Sequence, residues 1–336
     1  MALKVGIVGA GAIGTYVGGR LALGGADVVL VGRPWLAERV AAGLSLSRWG
    51  QGTVALPADR LRVATEIEAV AGCDVVFVAT KAKDTASVGA ALAALPPRER
   101  AIRYASLQNG LKSAQVLQGA LPGRVVWPGV VSFNVVWADD GARLHQGTSG
   151  PVVLPPDAAD VIAVMRAGGL EAETHPDVVG VQWMKLLFNL NNAVNALSGL
   201  TLREQLVQRS FRRVMAEVVD EARAVMRAAG VRPRGVGTMQ PWLVAPVLRL
   251  PDVLFFRVAS AMIRIDPEAR SSMAEDLRAG RTTEVDELNG EIVRLAAGAG
   301  VAAPRNAKLV ALVHEAEASP RTWAGPELLA ALGGAA

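Results

Sequence analysis

Short runs of valine, isoleucine and leucine alternate with longer stretches of mixed polarity through the first half of the chain. "KVGIVG" (Lys4–Gly9) is followed by a helical stretch from about Ala12 to Gly24, and then by "DVVLVG" (Asp27–Gly32). Further on come "DVVFVAT" (Asp74–Thr80), "AIRYASL" (Ala101–Leu107) and "RVVWPGVVSFNVV" (Arg124–Val136). Runs that are apolar at successive positions predict strands covered on both faces, and helices between them predict a parallel sheet in an α/β domain. "HQGTSGPVVLP" (His145–Pro155) reads as a turn and a late antiparallel strand, and this half closes near His175-Pro176.

From Val178 onward the apolar spacing becomes helical. The segments 178–198, 201–230, 241–265, 268–279, 283–298 and 304–317 all read as helices. In the fifth, Val285, Leu288, Ile292 and Leu295 repeat at helical spacing, with Gly280 a break before it, Thr283 the expected N-cap and Gly298-Ala299-Gly300 a stop. Pro233, Gly235, Gly237, Pro241 and Pro251 separate the others, and the Ala/Gly-rich tail after Leu329 looks dispensable. The predicted architecture is an α/β N-terminal domain with a parallel sheet, residues 1–176, followed by an all-helical C-terminal domain, residues 177–336.

Composition narrows the function classes. With 336 residues, 51% of them hydrophobic and 20% charged, the chain has core material for two ordinary globular domains. A balance of 35 basic against 31 acidic residues leaves +4, a mild excess that an anionic small molecule would satisfy. No basic run with interleaved aromatics points to nucleic acid. The single cysteine, Cys73, excludes an intramolecular disulfide and reads as a small residue at the head of a buried strand. The N-terminus lacks a signal-peptide pattern. The longest uncharged run, Leu186–Leu202, is short for a membrane span and carries four asparagines. The chain therefore reads as cytoplasmic, and the sequence leaves monomer and homodimer open.

The first candidate chemistry is "GIVGAGAIG". Gly9, Gly11 and Gly14 form G-x-G-x-x-G after a strand and at the opening of a helix. In that setting the first glycine permits the tight turn, the second lets the backbone approach a pyrophosphate, and the third allows close helix–strand packing. The phosphates meet the helix N-terminal amides, at Ala12 and Ile13. This is the fingerprint of a Rossmann-type dinucleotide site. The second strand ends in Gly32-Arg33, where an NAD-preferring site would want an acid; a guanidinium there suits the 2′-phosphate of NADP. Asp27 precedes that strand and is no rival. Lys81 in "VATKAKDT" and Asn109 in "LQNGL" also follow strand ends, but a surface lysine and a turn asparagine account for them equally well.

The second is "WMKLLFNLNN" (Trp183–Asn192), continuing as "AVNALSG". Lys185, Asn189 and Asn192 fall on one stripe of a helix, while Leu186, Leu187, Leu190, Ala193, Val194 and Leu197 face the other way. A solvated stripe normally recruits good helix formers, and each asparagine costs up to ~0.7 kcal/mol relative to alanine. Their repetition favours amides that face a polar ligand or bind between segments. In "SSMAEDLRAGRTTE" (Ser271–Glu284), by contrast, composition alone suggests serine caps and a first-turn acid.

Taken as a set, "GAGAIG", the Gly-Arg pair, "TKAKD", "QNG", W-x-K-x-x-x-N at Trp183–Asn189 and "SSM-x-x-D…GR-x-TE-x-D-x-x-N-G" at Ser271–Gly290 resemble the ketopantoate reductase (2-dehydropantoate 2-reductase) family over nearly the whole chain. The resemblance implies an NADP-dependent enzyme of pantothenate synthesis, with a Rossmann domain, a helical domain and a substrate cleft between them. By motif position, Lys185 would be the general acid and Glu284 the acid that orients substrate and lysine. Asn109, Asn189 and Ser272 would contact a 2-oxo acid, and Lys81, together with Asn109, would lie beside the cofactor. The family's second asparagine falls at Ala193 here, so Asn192 or Asn195 would have to substitute. The competing readings are a dehydrogenase of the 3-hydroxyacid or opine type and a non-catalytic NADP sensor.

Overall fold

The computed structural model describes residues 2–97, 99–138, 141–235, 240–259 and 266–334. The chain divides into two compact units, Met1–Val179 and Gly180–Ala336. In chain order the first unit opens with β1 (Lys4–Val8), α1 (Ala12–Leu23), β2 (Asp27–Val31), α2 (Pro34–Arg39), β3 (Leu44–Arg48), β4 (Thr53–Leu56) and β5 (Leu61–Ala64). It continues through β6 (Val75–Val78), α3 (Thr85–Ala93), β7 (Arg103–Ser106), α4 (Ser113–Ala120), β8 (Val126–Pro128), β9 (Val130–Val131) and β10 (Val135–Trp137). It ends with β11 (Arg143–Gln146), β12 (Val152–Leu154), α5 (Ala159–Ala167) and β13 (Ala172–Thr174).

Six strands form one sheet in the order β5-β2-β1-β6-β7-β8, every pair parallel. That is the doubly wound order in which winding reverses between the first and fourth strands, here β1 and β6. Successive residues point to opposite faces: Val5, Ile7, Leu30 and Phe77 join one buried cluster, and Val8, Val29, Val76 and Tyr104 the other. Both faces need apolar cover, which is why these strands read as continuous valine runs. Cys73 is only 2% exposed, as expected of a strand head.

One reading needs correction in this unit. The run Arg124–Val136 is not one strand; β8, β9 and β10 belong to three different sheets. The chain turns at Pro128-Gly129, where a Cβ on Gly129 would stand 2.7 Å from the Ser106 carbonyl oxygen, so the side-chain-free residue lets it cross beside β7. Leu44–Leu56, not predicted as strand, forms the antiparallel β3-β4 pair of a four-stranded sheet, β10-β11-β3-β4. β12 does pair antiparallel with β9, and also parallel with β13.

The second unit is helical throughout its described residues: α6 (Val178–Asn189), α7 (Asn191–Ser198), α8 (Leu202–Val207), α9 (Arg209–Ala228), α10 (Val244–Arg249), α11 (Asp252–Val258), α12 (Ser272–Arg278), α13 (Asn289–Gly298), α14 (Pro304–Ala318) and α15 (Gly325–Ala331). α9 is its longest helix, burying Phe211, Val214, Met215, Val218, Val219, Ala222, Val225 and Met226 along one face. The α/β-plus-helical fold class is as the sequence predicted; helix continuity is not. The 178–198 stretch breaks at Leu190, 201–230 at Gln208, and 241–265 before Pro251. Gly237 and residues 260–265 lie outside the described residues, as do Ala335 and Ala336 of the tail. Thr283 caps no helix: Glu284–Leu288 form a turn, Gly290 N–H bonds the Val285 carbonyl at 3.0 Å, and α13 starts only at Asn289. Apolar periodicity reports which residues face the core, and a turn at helical spacing satisfies it equally. The tail is less dispensable than it reads, since Leu332 is 6% exposed.

Candidate active site

Register puts the first group of candidates at one edge. Val8 pairs with Val31 and with Val78, and Val78 with Ser106, so β2, β1, β6 and β7 end level. Gly9–Gly14, Arg33, Lys81 and Asn109 therefore all issue from the carboxyl edge of the sheet at its switch point, where ligands of such folds bind. The three glycines do three different things. Gly9 has φ +92°, and a Cβ there would stand 2.5 Å from Thr80 N. A Cβ on Gly14 would stand 2.6 Å from the Gly9 carbonyl oxygen, so this glycine is the packing one. Around Gly11 a Cβ would meet nothing within 4 Å. Gly11 is the N-cap of α1, with no side-chain cap and no acid in the first turn. The amides at Ala12 and Ile13 thus open a helix whose end nothing negative occupies, and the missing Cβ leaves room for a phosphate to reach them. A dinucleotide fits here.

Arg33 is exposed at the start of α2, and its guanidinium makes no hydrogen bond or ion pair with any described residue. Asp27 is spent on Arg62, 3.5 Å away at the opposite end of the strands. The loops carrying Lys81 and Asn109 are tied together by a residue the sequence reading passed over, Gln108. Its buried Nε2 lies 3.1 Å from the Thr80 carbonyl, 3.3 Å from the Lys81 carbonyl and 2.8 Å from Thr85 Oγ1, while Oε1 accepts from Ser106 Oγ at 3.1 Å. Gln108 lies within "QNG", a signal available in the sequence. Lys81 is exposed and Asn109 half-buried.

In the helical unit the predicted core face is buried as expected: Leu187, Leu190, Ala193, Val194 and Leu197 are all 0% exposed. The asparagines divide into two kinds. Asn195 is fully buried; its amide donates to the Leu200 carbonyl and to Gln205 Oε1, each at 3.0 Å, and its oxygen accepts from Ser271 N–H at 2.9 Å. Asn191 accepts from Gln205 Nε2 at 2.6 Å. These two bind segments together. Asn189 and Asn192 are half-buried, and their side-chain amides bond to no described residue. Of the two candidates to stand in for Ala193, only Asn192 keeps donors to offer.

Ser271 joins the two polar clusters: besides its bond to Asn195, its hydroxyl caps α12 by accepting from Ala274 N–H at 3.1 Å and donates to the Asn192 carbonyl at 3.3 Å. Ser272, next in line, is exposed. Lys185 is half-buried by surface but deeply surrounded by protein; burial pulls its pKa from 10.5 down to about 8, and the charge of Glu284 holds it from falling further. The unit thus places the charge of Glu284 where it acts on Lys185, and carries separately, at Asn189, Asn192 and Ser272, polar side chains that bond to no described residue.

The two asparagine classes separate in mutants. Asn195→Ala strips three buried hydrogen bonds and is expected to destabilise the fold by about 2–3 kcal/mol. Asn192→Ala should unfold with the wild-type midpoint. Urea unfolding of both proteins checks this, and equal midpoints would contradict the division.

Among the described residues no helix is long and apolar enough to cross a membrane, and no group of His, Cys, Asp and Glu side chains is arranged to hold a metal. A family model described as ketopantoate reductase PanE/ApbA matches residues 5–158, and its C-terminal counterpart matches residues 177–317. A 2-dehydropantoate 2-reductase of Caulobacter vibrioides is 32% identical over 261 residues, covering 76% of this chain and 81% of that protein. One from Mycobacterium tuberculosis is 30% identical over 328 residues, covering 95% and 100%. The crystal structure of a PanE/ApbA family ketopantoate reductase from Ralstonia eutropha JMP134 matches with a TM-score of 0.76 at 31% identity, over 95% of this chain and 99% of that one. D-mandelate dehydrogenase with NADH and anilino(oxo)acetate matches with a TM-score of 0.74 at 20% identity, over 95% and 99%, and shows the fold alone.

Proposed function

Because this chain belongs to the PanE/ApbA ketopantoate reductase family of oxidoreductases acting on CH–OH groups, we propose that it reduces a 2-oxo acid, 2-dehydropantoate first among them, with NADPH as reductant. The observation that carries this reading is Lys185, an ammonium brought to a pKa of about 8 by burial and sustained by Glu284. A general acid works best when its pKa lies near the working pH, protonated enough to be present and acidic enough to let go.

Bound NADPH supplies the hydride that converts the 2-oxo carbon to the alcohol. Lys185 gives its proton to the carbonyl oxygen as negative charge gathers there, and its own positive charge stabilises that oxygen beforehand. Glu284 keeps the lysine protonated in the resting enzyme and orients it. In the helical unit Asn189 and Asn192 would offer amide donors, and Ser272 a hydroxyl, to the substrate carboxylate without adding a second fixed positive charge. Gly9, Gly11 and Gly14 with the amides at Ala12 and Ile13 would hold the pyrophosphate, with Lys81 beside it, and Arg33 would take the 2′-phosphate.

Arg33→Asp tests the last assignment. The replacement repels the 2′-phosphate and offers an acceptor to ribose hydroxyls, so the kcat/KM ratio of NADPH to NADH is expected to fall about 100-fold. An unchanged ratio removes Arg33 from the cofactor site. The whole reading is tested by NADPH oxidation with 2-dehydropantoate beside a panel of other 2-oxo acids. Preference for 2-dehydropantoate supports it, turnover of another 2-oxo acid alone moves the substrate, and tight NADPH binding without turnover returns the sensor reading.

A further inference from the structure

Glu284 stands in a turn held from both sides by a group the mechanism does not use. On one side, Thr283 N–H donates to Glu317 Oε1 at 2.7 Å, and Thr283 Oγ1 accepts from Val285 N–H at 3.3 Å. On the other side is Asp286. Between them stands His314 of α14: Nδ1 is 2.9 Å from Glu317 Oε2 and Nε2 is 3.2 Å from Asp286 Oδ1. The next residue in the turn, Val285, is 0% exposed, so the backbone on which Glu284 rides is anchored at Thr283 before it and at Val285 and Asp286 after it.

A neutral imidazole has one N–H and can donate to one carboxylate only; satisfying both requires the imidazolium. The environment favours that form: the hydrogen bond to Glu317 outweighs the opposing effect of burial, and Asp286 adds to it, so the His314 pKa is raised above 6.5. Glu317 and Asp286 are the charges facing the ring. On α13, Arg294 donates to the Asp286 carbonyl at 2.8 Å and is paired with Glu291. On α9, Glu217 and Glu221 face Arg305 at the far end of α14. α7, which also packs on α14, carries no ionisable side chain.

We propose that His314, as an imidazolium bridging Glu317 and Asp286, is a positioning residue that fixes the turn carrying Glu284 and, through Glu284, the charge felt by Lys185. The proposal rests on the reading of Glu284 as the acid that orients Lys185. Its test compares wild type, His314→Gln and His314→Arg. His314→Gln removes the charge and is expected to lower kcat/KM for the 2-oxo acid roughly tenfold near pH 6, with NADPH affinity unchanged. The deficit should shrink at higher pH as the wild type loses its own imidazolium. Arginine, which stays charged and can donate to two carboxylates, should restore activity and erase that pH-dependent difference. A readout independent of turnover is the titration of Lys185, followed by competitive acylation and mass spectrometry. Loosening Glu284 should lower the Lys185 pKa by about half a unit in His314→Gln and not in His314→Arg. If the wild type turned over no 2-oxo acid, the catalytic reading would fall while this titration still decided the positioning role. A wild-type Lys185 titration in His314→Gln, with or without a drop in Tm, overturns the proposal.

Discussion

Lys185→Ala is expected to lower kcat about a thousandfold while leaving NADPH affinity within about twofold, since a positioned general acid contributes roughly 10²–10⁴ in rate. The loss should fall on kcat more than on KM, because the proton and the stabilising charge matter most once negative charge has gathered on oxygen. pH dependence gives the assignment a signature. Reduction needs the ammonium form, so wild-type kcat should fall as pH rises through about 8, the pKa set by burial and opposed by Glu284. The residual activity of the variant should lack that limb. Stability should move the other way. With a folded pKa of about 8 against 10.5, the folded state binds fewer protons than the unfolded chain between those values, so wild-type stability rises across that window. Below pH 8 the cost of keeping the charged lysine surrounded by protein is fully present. Removing the lysine relieves it, so the variant should melt no lower than wild type at pH 7. A variant that keeps kcat within about threefold of wild type would sink Lys185 as the acid.

Gly11→Val is expected to raise the NADPH dissociation constant by about 100-fold, or 2.7 kcal/mol, with the melting temperature essentially unchanged. Gly11 has φ −78° and ψ −163°, extended backbone that valine adopts without strain, and nothing stands within 4 Å of a Cβ there. The fold therefore has no use for the missing side chain; only something arriving from outside does. The methyl groups would fill the space through which phosphate oxygens reach the amides of α1. Gly9 and Gly14 make the control. At either, a Cβ would strike backbone at 2.5 or 2.6 Å, so alanine there should lower the melting temperature as well as the affinity. Calorimetry of NADPH binding and thermal unfolding on the same proteins separate the two cases. A Gly11→Val protein that binds NADPH like the wild type would mean that the ligand does not approach this loop.

The fold class was legible in the amino-acid pattern alone, and so was the sheet edge from which Gly9–Gly14, Arg33, Lys81 and Asn109 issue. Valine runs without alternation can be satisfied only by a sheet covered on both faces, and glycine at positions 9, 11 and 14 after such a run leaves few conformations besides the phosphate loop. Burial and backbone sterics are local demands, written at the residue that meets them. The remainder depends on partners far apart in the chain. Four asparagines of nearly identical context separate into two kinds only because Gln205 and Ser271 come to rest against Asn191 and Asn195, leaving Asn189 and Asn192 with their amides to spend. Glu284, indistinguishable by composition from an acid in the first turn of a helix, proved to lie in a turn pinned by His314 and Glu317, close enough to Lys185 to hold up its pKa. A hydrogen bond or a Coulombic pair belongs to two residues at once. Periodicity along one segment can say which side of it faces the core, but only the folded chain says what a polar side chain finds there.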